Sequence, residues 1–101
     1  MATVIFKIVT ATLWRHAEQH GSFVGSAVDA RDGFIHFSTA EQLAATAQKH
    51  FAGQQDLLLL TIDADQLELR WEPARGGQLF PHLYGELPLT AVQSVEPFVV
   101  P

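Results

Sequence analysis

The sequence predicts a single α+β domain, and three observations predict it. Helix signals occur twice, both in the first half of the chain, at residues 10–21 and 39–53. Short β-rich stretches occur throughout and dominate the second half. A length of 101 residues with 48% hydrophobic and 17% charged residues supplies one modest core and argues against disorder. Residues 1–101 are therefore read as one domain, with no internal boundary or low-complexity tract.

Taken in order, residues 4–9 read as a first strand, with Ile5, Lys7 and Val9 on one side and Val4, Phe6 and Ile8 on the other. Lys7 interrupts an apolar face. Thr10 or Thr12 caps a helix that turns Leu13, Trp14 and Ala17 inward and stops at Gly21. Residues 22–31 mix small and polar types and read as a loop or a short helical turn, a segment of the kind that frames pockets. Asp32-Gly33 is turn chemistry, residues 34–38 read as a short strand, and Thr39 with Gln42 forms a capping-box signature. The helix that follows presents Leu43, Ala44, Ala47 and Phe51 at helical spacing and ends at Gly53.

Residues 57–62 read as a strand buried on both faces, followed by the turn Asp63-Ala64-Asp65. Leu67, Leu69 and Trp71 alternate with Glu68, Arg70 and Glu72, which predicts a half-buried strand; Trp14 and Trp71 are both expected in the core. Gly76-Gly77 permits a reversal before residues 80–85, where Pro81 and Gly85 predict a short strand at a sheet edge. Residues 88–92 form a turn or short helical piece, and residues 94–100 a last strand whose Pro97 suits an edge or a bulge.

Two of these strands carry the candidate chemistry. Alternation puts Phe34, His36 and Ser38 on one face, and Phe80, His82 and Tyr84 on one face. The aromatic-histidine-hydroxyl pattern thus occurs twice and predicts one shared pocket, with the two imidazoles within roughly 10 Å of each other. His36 and His82 are the candidate catalytic residues, since imidazole transfers protons, orients hydroxyls and, when charged, holds phosphate. Each also has a plain structural role open to it, as does Ser38, which lies just before a helix cap. Tyr84 offers a phenol that hydrogen-bonds and stacks on a flat ring.

The motifs Asp-Gly-Phe-Ile-His-x-Ser-Thr-Ala-Glu-Gln, Arg-Trp-Glu and Phe-Pro-His-Leu-Tyr-Gly resemble those of a small bacterial family known only as domain of unknown function 952, over essentially the whole chain. That resemblance implies an ADP-ribosyltransferase-like fold of two small, strongly bent β-sheets with flanking helices. Residues 34–38 are also similar to the His-Val-His-Leu-Ser strand of the NAD-dependent RNA 2′-phosphotransferases. The resemblance implies a nucleotide-like small molecule, with NAD as the cofactor, and a ligand set of Lys7, His36, Ser38 and Tyr84. If the protein is an enzyme, it would then be of the ADP-ribosyltransferase or phosphotransferase type. The chain departs from the transferases in lacking an obvious catalytic glutamate beside His82, with Glu72 and Glu96 the acids in the second half; the phosphotransferase arginines have no clear counterparts among Arg15, Arg31, Arg70 and Arg75. A non-enzymatic binding or interaction module that retains the fold is the alternative.

Other classes are disfavoured. A net charge of −5, with scattered basic residues, gives no attraction for a nucleic-acid backbone. No apolar run approaches the roughly 20 residues needed to span a bilayer, and the start of the chain has no signal-like pattern, so a cytoplasmic location is expected. The absence of cysteine excludes disulfides and thiolate metal sites. His16 and His20 share a helical face at metal-ligand spacing, but no third ligand accompanies them and no metal is expected.

Overall fold

Thr10 ends one element and starts the next. The computed structural model describes residues 3–101, with Arg75 described by its backbone alone. Strand β1 (Val4–Thr10) passes directly into helix α1 (Ala11–His20), because the Thr10 hydroxyl accepts the Leu13 N–H. Gly21, at φ 98°, closes the helix in the left-handed region, as a C-terminal glycine does. The expected loop at residues 22–31 instead contains β2 (Ser22–Phe23) and a six-residue helix, α2 (Ala27–Asp32), capped by Ser26. Then follow β3 (Ile35–His36), α3 (Ala40–Phe51), β4 (Leu57–Asp63), β5 (Leu69–Pro73), β6 (Leu79–Leu83), β7 (Leu87–Pro88) and β8 (Val92–Phe98), with 3-10 turns before β5, β6 and β8.

All pairings are antiparallel. The strands form one sheet ordered β1-β4-β8, a second ordered β3-β6-β5, and the two-stranded ribbon β2-β7, rather than the expected two sheets. An isolated bridge between Phe6 and Ser38 links β1 to the chain leaving β3. The core lies between the elements and is built on Ile5, Val9, Phe23, Leu60, Ile62 and Leu87, each at most 2% exposed. Among the described residues no helix is long and apolar enough to cross a membrane.

Four further expectations are corrected. β6 is the central strand of its sheet and not an edge, despite Pro81. The Pro81 carbonyl accepts the Phe37 N–H, so the proline's missing donor faces β3; no reciprocal bond can form, and the ladder there is only the two residues Ile35 and His36, shorter than the five-residue strand expected. Trp71 is 43% exposed, because β5 is the edge strand and Trp71 faces away from the site described below. Ala44 is exposed, and α3 packs through Ala47, with Leu43 and Phe51 half-buried.

Candidate functional site

The register of the β3-β6-β5 sheet sets His36 opposite His82, His82 opposite Arg70, and Glu72 opposite Phe80. Directly opposed residues in antiparallel strands share a face, so one surface collects both histidines, Arg70 and Glu72, with Tyr84 two residues beyond His82. The two imidazole centroids lie 5.3 Å apart, edge to face. Phe34 packs over them, its ring centroid 4.0 Å from that of His82, 4.5 Å from His36 and 5.1 Å from Tyr84.

His36 is held from behind by Asp29. Ser26 caps α2 in a capping box whose returning side chain is Asp29, which accepts the Ser26 N–H at 2.8 Å. The same carboxylate accepts the His36 backbone N–H at 3.1 Å and stands 2.6 Å from His36 Nδ1 and 3.1 Å from the Lys7 ammonium. Lys7 in turn donates to the His36 carbonyl at 2.7 Å. Burial opposes ionisation of Asp29, yet the hydrogen bond from His36, the ammonium of Lys7 and the two amides outweigh it and hold this carboxyl well below the usual range. Burial pulls Lys7 below the ordinary lysine value, with Asp29 opposing the shift.

A carboxylate only accepts, so the proton between Asp29 and His36 is assigned to Nδ1. Nε2 lies 2.9 Å from an oxygen of Asp32, whose carboxylate also meets Arg31 at 3.1 Å. The imidazolium form satisfies both carboxylates. In the neutral ring Nε2 is a proton acceptor, and Asp32, a third exposed, has room to turn aside.

Glu72 does for His82 what Asp29 does for His36. One of its oxygens is 2.8 Å from His82 Nδ1 and 2.8 Å from the Tyr84 hydroxyl. These two bonds, that from His82 first, lower the Glu72 carboxyl from its ordinary value; the bond that Tyr84 donates to Glu72 raises the Tyr84 phenol. Arg70 lies over the Tyr84 ring at 5.0 Å from its centroid. Both imidazoles are therefore anchored through Nδ1, and the Nε2 of His36 faces Asp32.

Of the predicted site residues, His36, His82 and Tyr84 come together. Ser38 does not join them: it is buried, and its hydroxyl shares a hydrogen bond with Thr46 of α3 at 3.0 Å. Lys7 sits behind His36 with its ammonium committed to Asp29 and a carbonyl, instead of reaching solvent. Glu96 is exposed on β8, in the other sheet. His20 is 3.5 Å from Glu86, and no trio of His, Cys, Asp or Glu among the described residues converges as a metal set. Concavities of about 430 Å³, beside α1 and β2 and lined by His16 and His20, and about 280 Å³, beside Leu69 and Trp71, do not include His36 or His82, over which Phe34 packs. Asp29 is the residue sequence reasoning missed. Ser26 three positions before it was a usable capping signal for α2, though nothing local announced the ion pair with Lys7.

Residues 8–95 match the family described as "Protein of unknown function (DUF952)". The chain resembles the crystal structure of protein CC0527 from Caulobacter crescentus, at 46% identity and a TM-score of 0.91 over 94% of this chain and 85% of that one. A double mutant of CC0527 gives 44% identity and a TM-score of 0.90 over the same shares. The solution structure of CC0527 gives 47% and 0.81 over 91% of this chain and 81% of that one. No curated protein matches.

Proposed function

We propose that this chain, which belongs to the DUF952 family, binds a nucleotide-like small molecule at the Phe34, His36, His82 and Tyr84 face and moves a proton on it with the two histidines. One observation carries the reading: two imidazoles 5.3 Å apart, each anchored through Nδ1 by its own carboxylate. Such a pair supplies an acid and a base to one small ligand. Phe34 and Tyr84 offer flat rings for a base or a nicotinamide to stack on, and the imidazole and phenol are suited to ribose hydroxyls.

Charge favours recognition of the ring and ribose over the phosphates. Lys7 is spent on Asp29, Arg31 meets Asp32, and Arg70 lies on Tyr84. NAD is the first ligand to test. In the finer form of the proposal the fold is ADP-ribosyltransferase-like and the chemistry is ADP-ribosyl transfer. Glu72 supports it, since a half-exposed carboxylate beside His82 is suited to stabilising an oxocarbenium-like centre. Lys7 then positions Asp29 and His36, and Ser38 steadies the chain leaving β3. His82 lies beneath Phe34 and meets a ligand once that ring swings aside. The same covering ring favours the second reading, a binding module without chemistry.

Titration of NAD, ADP-ribose and nicotinamide against the wild type, His36→Ala and His82→Ala tests both. Binding that weakens in both variants is expected, and no binding of any of the three at about millimolar ligand would sink the nucleotide reading. Consumption of NAD abolished by His36→Ala separates the enzyme from the module.

A further inference from the structure

β5 is an edge strand, and its five residues read as their own antiparallel complement. Because the Pro81 carbonyl points to β3, His82 and Phe80 point their backbone groups at β5, where Arg70 and Glu72 meet them. The N–H and C=O groups of Leu69 and Trp71 and the carbonyl of Pro73 therefore face outward. The Arg70 and Glu72 side chains lie on the histidine face, and Trp71, 43% exposed, lies on the other. The edge strand β8 of the other sheet carries Glu96 and Pro97 and no tryptophan.

We propose that β5 pairs antiparallel with β5 of a second copy of this chain, centred on Trp71, so that Arg70 of each copy lies opposite Glu72 of the other. In this register the two Trp71 backbones exchange a pair of hydrogen bonds, and each Leu69 N–H meets the partner's Pro73 carbonyl. Pro73, with no donor to return, ends the ladder at both ends. Charge fixes the register. Slipping one way sets Arg70 against Arg70 of the partner subunit, and slipping the other way sets Glu72 against Glu72 of the partner subunit, both unfavourable across an antiparallel pair. The concavity of about 280 Å³ beside Leu69 and Trp71 leaves room on the second face for the partner's indole. The two β3-β6-β5 sheets become one, and the partner's Arg70 reaches the carboxylate that holds His82 and Tyr84. The dimer is independent of what the histidine face binds. A five-residue contact is small, so the association is weak and rises with concentration.

Sedimentation of the whole chain from about 1 to about 500 μM tests it, with folding of each variant checked by circular dichroism. The wild type is expected to move from 11.1 kDa toward twice that mass. Leu69→Pro removes an outward donor at both ends of the ladder without touching the β6 pairing, and is expected to weaken the dimer about tenfold or more. Arg70→Glu is expected to dissociate it by setting like charges opposite, and adding Glu72→Arg to restore it. A wild type that stays at 11.1 kDa throughout overturns the proposal, as does a dimer indifferent to both single changes or a folded double variant that stays monomeric. Where the double variant does not fold, Leu69→Pro and Arg70→Glu decide.

Discussion

Asp29 Oδ1 lies 2.6 Å from Nδ1 of His36 while the Asp29 carboxylate pairs with Lys7, so one buried acid ties β1, α2 and β3 together beneath the candidate site. Asn at this position keeps the shape but removes the charge that Lys7 requires. Breaking one side of a buried pair is expected to cost about 3 kcal/mol, read by urea denaturation at neutral pH.

The pH dependence of that cost has a definite sign. The folded Asp29 carboxyl is depressed, so the unfolded chain takes up its proton first as pH falls. The contribution is complete above the ordinary carboxylate range, near pH 4, and disappears as pH drops through the folded value. The gap between wild type and Asp29→Asn should therefore narrow steadily as pH falls below about 4, and a gap that stays constant from neutral pH down would contradict the linkage.

Gly25 reports on the same hub from another side. It has φ 108°, and a Cβ built there would meet the Asp29 Cβ at 2.8 Å, whereas at Gly21, φ 98°, nothing lies within 4 Å. Both alanine variants strain the backbone, but only Gly25→Ala pushes on Asp29. It is expected to lose about 1 kcal/mol more stability than Gly21→Ala and to shift the NMR resonances of the His36 ring, which Gly21→Ala leaves in place.

What was legible in the sequence follows the range of the interaction that fixes it. The Thr10 and Thr39 caps and Gly21 are decided within a few residues, and the helices begin and end where those residues stand. Strand alternation placed His36 with Phe34, and His82 with Tyr84, and these side chains do meet on one face, although Phe34 and Tyr84 lie in bends just outside β3 and β6. Ser38 escaped the same rule because Pro81 cuts the ladder at His36 and the chain turns into α3. Asp29 was hidden for a different reason: its partners Lys7 and His36 lie on other strands, and a short polar segment gives no sign of burial. Trp71 misled because hydrophobicity speaks for burial, while the sheet order that leaves β5 at an edge is a property of the whole chain.

The second carboxylate–histidine pair has an optical handle, because Tyr84 is the chain's one tyrosine. Its phenol is raised above the ordinary value near 10, first by the hydrogen bond to Glu72 and also by that charge. Tyrosinate absorbance should appear at higher pH than in the unfolded chain. Glu72→Gln should bring the midpoint down toward the ordinary value; an unmoved midpoint would mean that the bond does not persist in solution.

Phe34 is the test of whether the paired imidazoles are a site or a packed cluster. It stacks 4.0 Å from His82, a residue only 6% exposed, and is itself half-buried, so Phe34→Ala should cost about 1–2 kcal/mol, less than a core phenylalanine. With the ring gone, the edge of His82 opens to solvent while Glu72 still holds its Nδ1. Acylation of His82 by diethyl pyrocarbonate, followed by mass spectrometry, should accelerate in Phe34→Ala relative to the exposed His16, which serves as an internal standard. The gate reading of Phe34 requires that acceleration together with retained folding. If His82 stays as unreactive as in the wild type, other groups seal it, and proton transfer at this face must rest on His36 alone.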